Sequence, residues 1–128
     1  MIDINGSVYA ANGGKIDVTA TAASQLTGDI VVESSGVSDI TFSSDALFTG
    51  LTSVSGTNSE NNLTLGSNSL WNMTGTSSLS SFTNNAVVDM TKDGNTFSTL
   101  TVDNLNGNGT FLMDIDGTAV DQSDTVSY

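Results

Sequence analysis

The chain has 128 residues, which suits one domain, and its two lysines face 14 acidic residues for a net charge of -12. A nucleic-acid-binding protein neutralises phosphates with Lys and Arg, so this charge excludes that class and also disfavours an anionic membrane surface. Because the sequence contains neither His nor Cys, the usual zinc ligands, histidine-based triads and thiol chemistry are excluded.

The residue pattern predicts an all-β protein. Pro is absent, and Val, Ile and Thr are plentiful, which argues against disorder, while strong helix formers are scarce. Short segments that alternate apolar and polar residues predict strands of three to five residues, each with one buried face. These segments are 2–4, 16–18, 30–32, 40–42, 63–65, 71–73, 88–90, 100–102, 111–115 and 126–128.

Turns rich in Gly, Asn, Asp and Ser separate these segments along the whole chain, as at 12–14, 34–36, 55–58, 93–95 and 106–109. A β-sandwich needs longer strands and a thicker apolar core than this sequence offers. We therefore predict a right-handed parallel β-helix, a single-stranded solenoid of about five or six coils with roughly 20 to 25 residues in each.

The second half of the chain carries a more specific pattern, in residues 62–90, 97–116 and 121–128. It resembles the C-terminal passenger region of pertactin-like and AIDA-type autotransporters, in which an L-x-L and W-x-V-T-G-x-S stretch precedes F-x-T-L-T-V-x-N-L-x-G-x-G-x-F and D-x-L/V-x-V stretches. The matching positions are Leu63, Leu65, Trp71, Thr74, Gly75, Ser77, Phe97, Thr99, Leu100, Val102, Asn104, Leu105, Gly107, Gly109, Phe111, Met113, Asp124 and Val126.

Departures from the family pattern are small: Met73 stands where Val is usual, and Ala86 stands where Gly is common. The similarity in residues 1–60 is one of composition. We therefore expect residues 1–128 to form one β-helix segment, with generic coils in 1–60 and pertactin-like C-terminal coils in 62–128, excised from a longer chain.

The resemblance implies a non-catalytic segment of a type V secreted protein, displayed on the surface of a Gram-negative bacterium after passing through the periplasm. In that family the C-terminal coils are thought to fold first and to template the others. The implied partners are the rest of the passenger and the C-terminal outer-membrane barrel, with host surfaces or like molecules on neighbouring cells as further partners for adhesion. We expect no nucleic acid, no insertion of this segment into a membrane, no cofactor, no metal and no catalytic residue.

The residues singled out in this sequence are therefore structural. Trp71 is expected to fill the core rather than to form a platform for a ligand. The full set of predicted core residues is Leu63, Leu65, Trp71, Met73, Val88, Phe97, Leu100, Val102, Leu105, Phe111 and Met113.

Two alternative functions depend on carboxylates near the C-terminus. Residues 114–117 and the tail 121–126 have some features of calcium-binding β-rolls, although the tandem glycine-rich nonapeptides are missing. Asp114 and Asp116 have the spacing of two carboxylates on one side of a strand, at a distance that glycosidases use. The only cations for sugar binding are Lys15 and Lys92, the latter expected to aid solubility, so we expect these carboxylates to lie on a solvated face.

Overall fold

A computed structural model describes residues 2–21, 23–92, 97–114 and 123–128. The chain winds into a parallel β-solenoid of about five turns, built from three sheets. Sheet I contains β1 (Asp3–Asn5), β4 (Gln25–Thr27), β7 (Leu47–Gly50), β10 (Leu70–Met73), β12 (Val87–Asp89) and β14 (Thr110–Leu112). Sheet II contains β2 (Val8–Ala10), β5 (Ile30–Val32) and β8 (Thr52–Val54). Sheet III contains β3 (Lys15–Ala20), β6 (Val37–Ser44), β9 (Glu60–Ser67), β11 (Ser77–Asn84), β13 (Thr99–Asn106) and β15 (Thr125–Ser127).

The only helical element in the described part of the chain is a single 3₁₀ turn at Met90–Lys92. None of the described residues form a helix with the length and apolarity needed to cross a membrane.

Strand pairing follows the sequence at a nearly constant interval. In sheet I, Asp3 pairs with Gln25 and Gln25 with Leu47, an advance of 22 residues each time. All the ladders are parallel, as expected when each coil places one strand on each face. The predicted all-β parallel β-helix and its coil length are therefore confirmed.

The core is a narrow ribbon between sheets I and III. On the inner side of sheet I, Leu26, Phe48 and Trp71 stack in register and are at most 1% exposed. On sheet III, Ile40 pairs with Leu63, which is also fully enclosed. Because each inward side chain contacts those one coil above and below, the small apolar content is enough to fill the interior.

A column of glycines marks the corner that follows sheet I. Gly6 and Gly28 have φ values of 144° and 142°, a conformation that L side chains rarely adopt, and Gly50 continues the column. The backbone passes so closely that a Cβ on Gly28 would collide with the carbonyl oxygen of Gly6. The N–H of Gly6 donates to the carbonyl of Thr27 at 2.8 Å, so the corner also continues the hydrogen bonding between coils.

The fourth coil is shorter than the others. Val87 of β12 pairs with Leu70 of β10, only 17 residues earlier, and sheet II has no strand in this coil. The first part of β11 instead crosses above β8, where its serine hydroxyls accept backbone N–H groups of the coil below. The three bonds are Ser77 from Thr52 (3.1 Å), Ser78 from Val54 (2.9 Å) and Ser80 from Asn61 (3.0 Å).

All ten predicted segments overlap strands of the structure, with residue 115 outside the described part. Five strands were not predicted: β2, β4, β7, β8 and β11. The expected strand length of three to five residues is wrong for sheet III, where β6, β9, β11 and β13 each have eight residues. These strands are long because Ser, Thr and Asn extend them on both sides of a short apolar pattern.

We predict that Gly28→Ala destabilises the protein much more than Gly6→Ala. Both substitutions place Ala at nearly the same unfavourable φ, which costs about 1–3 kcal/mol. Only at Gly28 does the new Cβ also meet the backbone of the neighbouring coil, which adds about 1–3 kcal/mol. Urea unfolding followed by far-UV circular dichroism measures the difference, and equal losses of stability would contradict the close approach of the two coils.

Candidate functional site

The predicted core residues were placed on the inner faces of the C-terminal coils, and most of them lie there. Leu105 and Phe111 are half-buried and pack against the core, and Phe97 is half-buried. The fully buried residues of the set are Leu63, Leu65, Trp71, Met73, Val88, Leu100 and Val102. The C-terminal half of the structure therefore has a continuous apolar interior.

Met113 is the exception, because its inclusion in the core is wrong. It is 37% exposed and follows β14, which ends at Leu112. Phe111 is the inward residue of β14, in register with Val88. Beyond the end of the strand, the backbone no longer holds Met113 in the inward column that its apolar side chain suggested.

Four aromatic side chains form a connected chain through the core. Phe48 stacks on Trp71 with ring centroids 5.2 Å apart, and Trp71 meets Phe82 edge-on at 5.5 Å. Phe82 in turn meets Phe111 edge-on at 6.4 Å. Each such pair contributes about 0.5–1.5 kcal/mol beyond simple burial. We call Phe48, Trp71, Phe82 and Phe111 the aromatic chain; it ties the third coil to the last.

Trp71 is the centre of the aromatic chain. Its side chain is fully buried, and its indole N–H donates to the carbonyl oxygen of Gly50 at 2.9 Å. The same residue therefore fills the core and satisfies a carbonyl at the glycine corner. Sequence reasoning selected Trp71 and Phe111 but missed Phe48 and Phe82, which lie in strands that were not predicted.

Asp124 contradicts the expectation that the C-terminal carboxylates lie on a solvated face. It is 3% exposed, and its two oxygens accept the N–H groups of Ser98 at 2.8 Å and Asp114 at 2.6 Å. Its own N–H donates to the carbonyl of Asp114 at 2.8 Å. Asp124 therefore fastens the last strand, β15, to both preceding segments. The other residues of the two proposed calcium stretches, 115–117 and 121–122, lie outside the described residues.

Other carboxylates also accept backbone N–H groups. Asp29 accepts the N–H of Leu51 at 3.0 Å, which links two coils at the glycine corner. Asp89 accepts the N–H of Thr91 at 2.9 Å and its hydroxyl at 2.6 Å. Desolvation alone raises the pKa of Asp89, but the bonds from Thr91 and the charge of Lys92 lower this pKa below its usual value. These carboxylates therefore act as acceptors that hold turns and corners.

The two cations have little access to a site. The ammonium group of Lys92 lies 3.8 Å from Asp89, and its side chain is 56% exposed. Lys15 lies at an exposed position at the start of β3. Within the described ranges, no three carboxylates come together in a way that fits a metal ion.

We predict that Asp124→Asn loosens the last coil. The amide replaces one acceptor oxygen with an NH₂ group that faces a backbone N–H, and losing a hydrogen bond to a charged group costs about 1.5–3 kcal/mol. Amide hydrogen exchange at Ser98 and Asp114 is expected to accelerate, whereas Asp103→Asn, at an exposed position, leaves it unchanged. Unchanged exchange in Asp124→Asn would show that the carboxylate does not hold this coil.

Three comparisons, with protein-family models, with curated proteins and with solved structures, found no match to this chain.

Proposed function

We propose that this chain is a non-catalytic β-helical scaffold and folding template, a segment of the passenger of a Gram-negative autotransporter. The observation that carries the template role is the aromatic chain, which joins the third coil to the last. The assignment to an autotransporter depends on the sequence motifs in residues 62–128. It places the segment at the cell surface, in contact with the rest of its passenger and reached by export through the barrel of the same protein.

Packing is uneven along the solenoid, which supports a template at the C-terminal side. The inward residues Ile2, Ile4 and Val8 of the first coil are only half-buried. By contrast, Trp71, Phe82 and Leu100 are fully buried in the fourth and fifth coils. A solenoid folds by adding coils to an existing nucleus, and the first coil is the most costly to form. The region with the densest apolar contacts is the natural nucleus.

A non-catalytic role agrees with how the described carboxylates are used. Asp29, Asp89 and Asp124 accept hydrogen bonds from the backbone, which fixes them in structural positions. A general acid or base needs a carboxylate that faces a substrate and has a raised or finely adjusted pKa. The pKa of Asp89 instead is lowered, which favours a permanently charged acceptor.

We predict that the C-terminal coils become protected before the N-terminal coils when the full chain refolds. Pulse-labelling hydrogen exchange after dilution from urea measures the order directly. Amides of β10, β11 and β13 are expected to gain protection first, followed by β6 and then β3, because each coil forms on its neighbour. The reverse order would exclude the template role.

The same substitution at two sites of sheet III provides a matched test of this order. Phe82→Leu removes a member of the aromatic chain, and Phe42→Leu removes a buried ring from the second coil. We expect Phe82→Leu mainly to slow folding and Phe42→Leu mainly to speed unfolding, since only the first residue belongs to the nucleus. If both variants changed only the unfolding rate, the aromatic chain would not nucleate folding.

A second candidate function, side-by-side self-association, is favoured by one surface. On the outer side of sheet III, threonines from four successive coils stack in register: Thr19, Thr41, Thr64 and Thr83. This threonine column is an uncharged strip of hydroxyls that two copies can share. The beginning of the neighbouring column is acidic, with Asp17 paired to Asp39, so repulsion opposes contact at low salt.

If the threonine column mediates contact, the fraction of dimer rises with salt, because the screening length falls from about 30 Å at 0.01 M to about 8 Å at 0.15 M. Sedimentation velocity at the two salt concentrations measures this. Thr64→Glu is expected to keep the protein monomeric, whereas Thr27→Glu, on the outer side of sheet I, has no effect. A monomer under all conditions would leave the scaffold as the sole function.

A further inference from the structure

A polar groove of about 340 Å³ opens at the place where the fourth coil is short. One wall is the turn after β8, including Ser55, Gly56 and Ser59. The other wall consists of outward side chains on β11 and β13, namely Ser78, Ser80, Thr101 and Asp103. We call this cavity the elbow groove.

The elbow groove is a consequence of the short coil. The turn after β8 projects from the third coil, but no strand of sheet II lies above it in the fourth. β11 crosses over β8 and then continues above β9, where Ser81 pairs with Asn62. The projecting turn and the outer face of β11 therefore enclose a space that no regular coil of this solenoid has.

Hydrogen-bond donors in the groove are held in fixed positions. The hydroxyl oxygen of Ser59 accepts the N–H of Ser35 at 3.0 Å. The hydroxyls of Ser78 and Ser80 are held in the same way by backbone N–H groups of the coil below. A serine oxygen that accepts one bond still has its own proton to donate. The groove therefore presents three positioned O–H donors.

Acceptors lie on the same wall as two of these donors. Ser78 is paired in register with Thr101, and Leu79 with Val102, which puts Ser80 beside Asp103 on the outer face. Asp103 is exposed and supplies a carboxylate, which accepts hydrogen bonds only. Positions two apart on a strand are about 6.6–6.8 Å apart, and adjacent strands are about 4.8 Å apart. Donors and acceptors thus alternate over an area the size of a sugar ring.

We propose that the elbow groove binds a neutral saccharide. A ligand rich in hydroxyl groups both donates and accepts, which matches the serine hydroxyls together with the Asp103 carboxylate. Anionic ligands are opposed by the net charge of -12, and neither lysine lines the groove. The volume is near the lower end of the range of about 300–1,000 Å³ for ligand pockets, which suits one or two sugar rings.

An extended peptide fits the groove less well. Peptides that add to a sheet need a free row of backbone N–H and C=O groups. At β8 the outward N–H groups of Thr52 and Val54 already donate to Ser77 and Ser78. The edge that a peptide would extend is therefore closed on its donor side, whereas the side-chain hydroxyls remain open to a sugar.

The experiment is a titration of the ¹⁵N-labelled full chain with glucose, galactose, mannose, N-acetylglucosamine, maltose, cellobiose and lactose, followed by two-dimensional NMR. At least one sugar is expected to bind with a Kd in about the millimolar range and to shift the amides of 55–59, 78–80 and 101–103. The saccharide proposal does not depend on the scaffold function, and its failure would leave the folding-order test unaffected.

Variants give the titration its controls. Asp103→Ala is expected to weaken binding at least about tenfold, whereas Asp17→Ala, an equally exposed change of charge on sheet III, has no effect. Thr101→Trp fills the groove from an exposed position and is expected to abolish binding while the circular dichroism spectrum stays unchanged. The proposal is overturned if no sugar shifts the groove amides, if Asp103→Ala binds as tightly as the original chain, or if a neutral blocked hexapeptide binds there and the sugars do not.

Discussion

The vertical stacking of one coil on the next is the constraint on which the rest of this structure depends. Strands in neighbouring coils lie about 4.8 Å apart, so every residue has fixed partners roughly 22 positions before and after it. A position is therefore acceptable only if its whole column is. At the corner after sheet I, this rule selects glycine in three successive coils, and inside the solenoid it places Phe48 directly beneath Trp71.

A single departure from this rule creates the most individual features of the molecule. In the fourth coil the interval falls to 17 residues, and sheet II ends at β8. Serine hydroxyls of β11 then take the place of a strand, because the backbone N–H groups at the edge of β8 need acceptors. The bypassed turn becomes one wall of the elbow groove. Shortening one coil thus exchanges regular sheet structure for a polar cavity with fixed donors.

Acidic side chains have different roles along the solenoid. Asp124 and Asp29 hold backbone segments together, whereas Asp17 and Asp39 stack as like charges on the outer face. Asn62 continues that column and donates its side-chain amide to Asp39 at 2.7 Å, which partly offsets the repulsion. The negative charge is therefore compatible with folding where hydrogen-bond donors meet it, and elsewhere it remains in solvent.

The sequence by itself determined the fold class, the coil length and most of the core, because alternation of apolar residues and Gly- or Asn-rich turns are local signals. The 22-residue spacing of Gly6, Gly28 and Gly50 is another such signal and would have located β4 and β7, which were not predicted. The aromatic chain was only half predicted, since Phe82 lies among serines and threonines.

Only the tertiary structure decided what each residue contacts. It buried Asp124, exposed Met113 and brought the turn after β8 against β13, some 45 residues later in the chain. The physical reason is that these contacts form between coils, where the register depends on the length of every intervening turn. A local pattern specifies which way a side chain points, whereas the number of residues in each coil decides what it meets there.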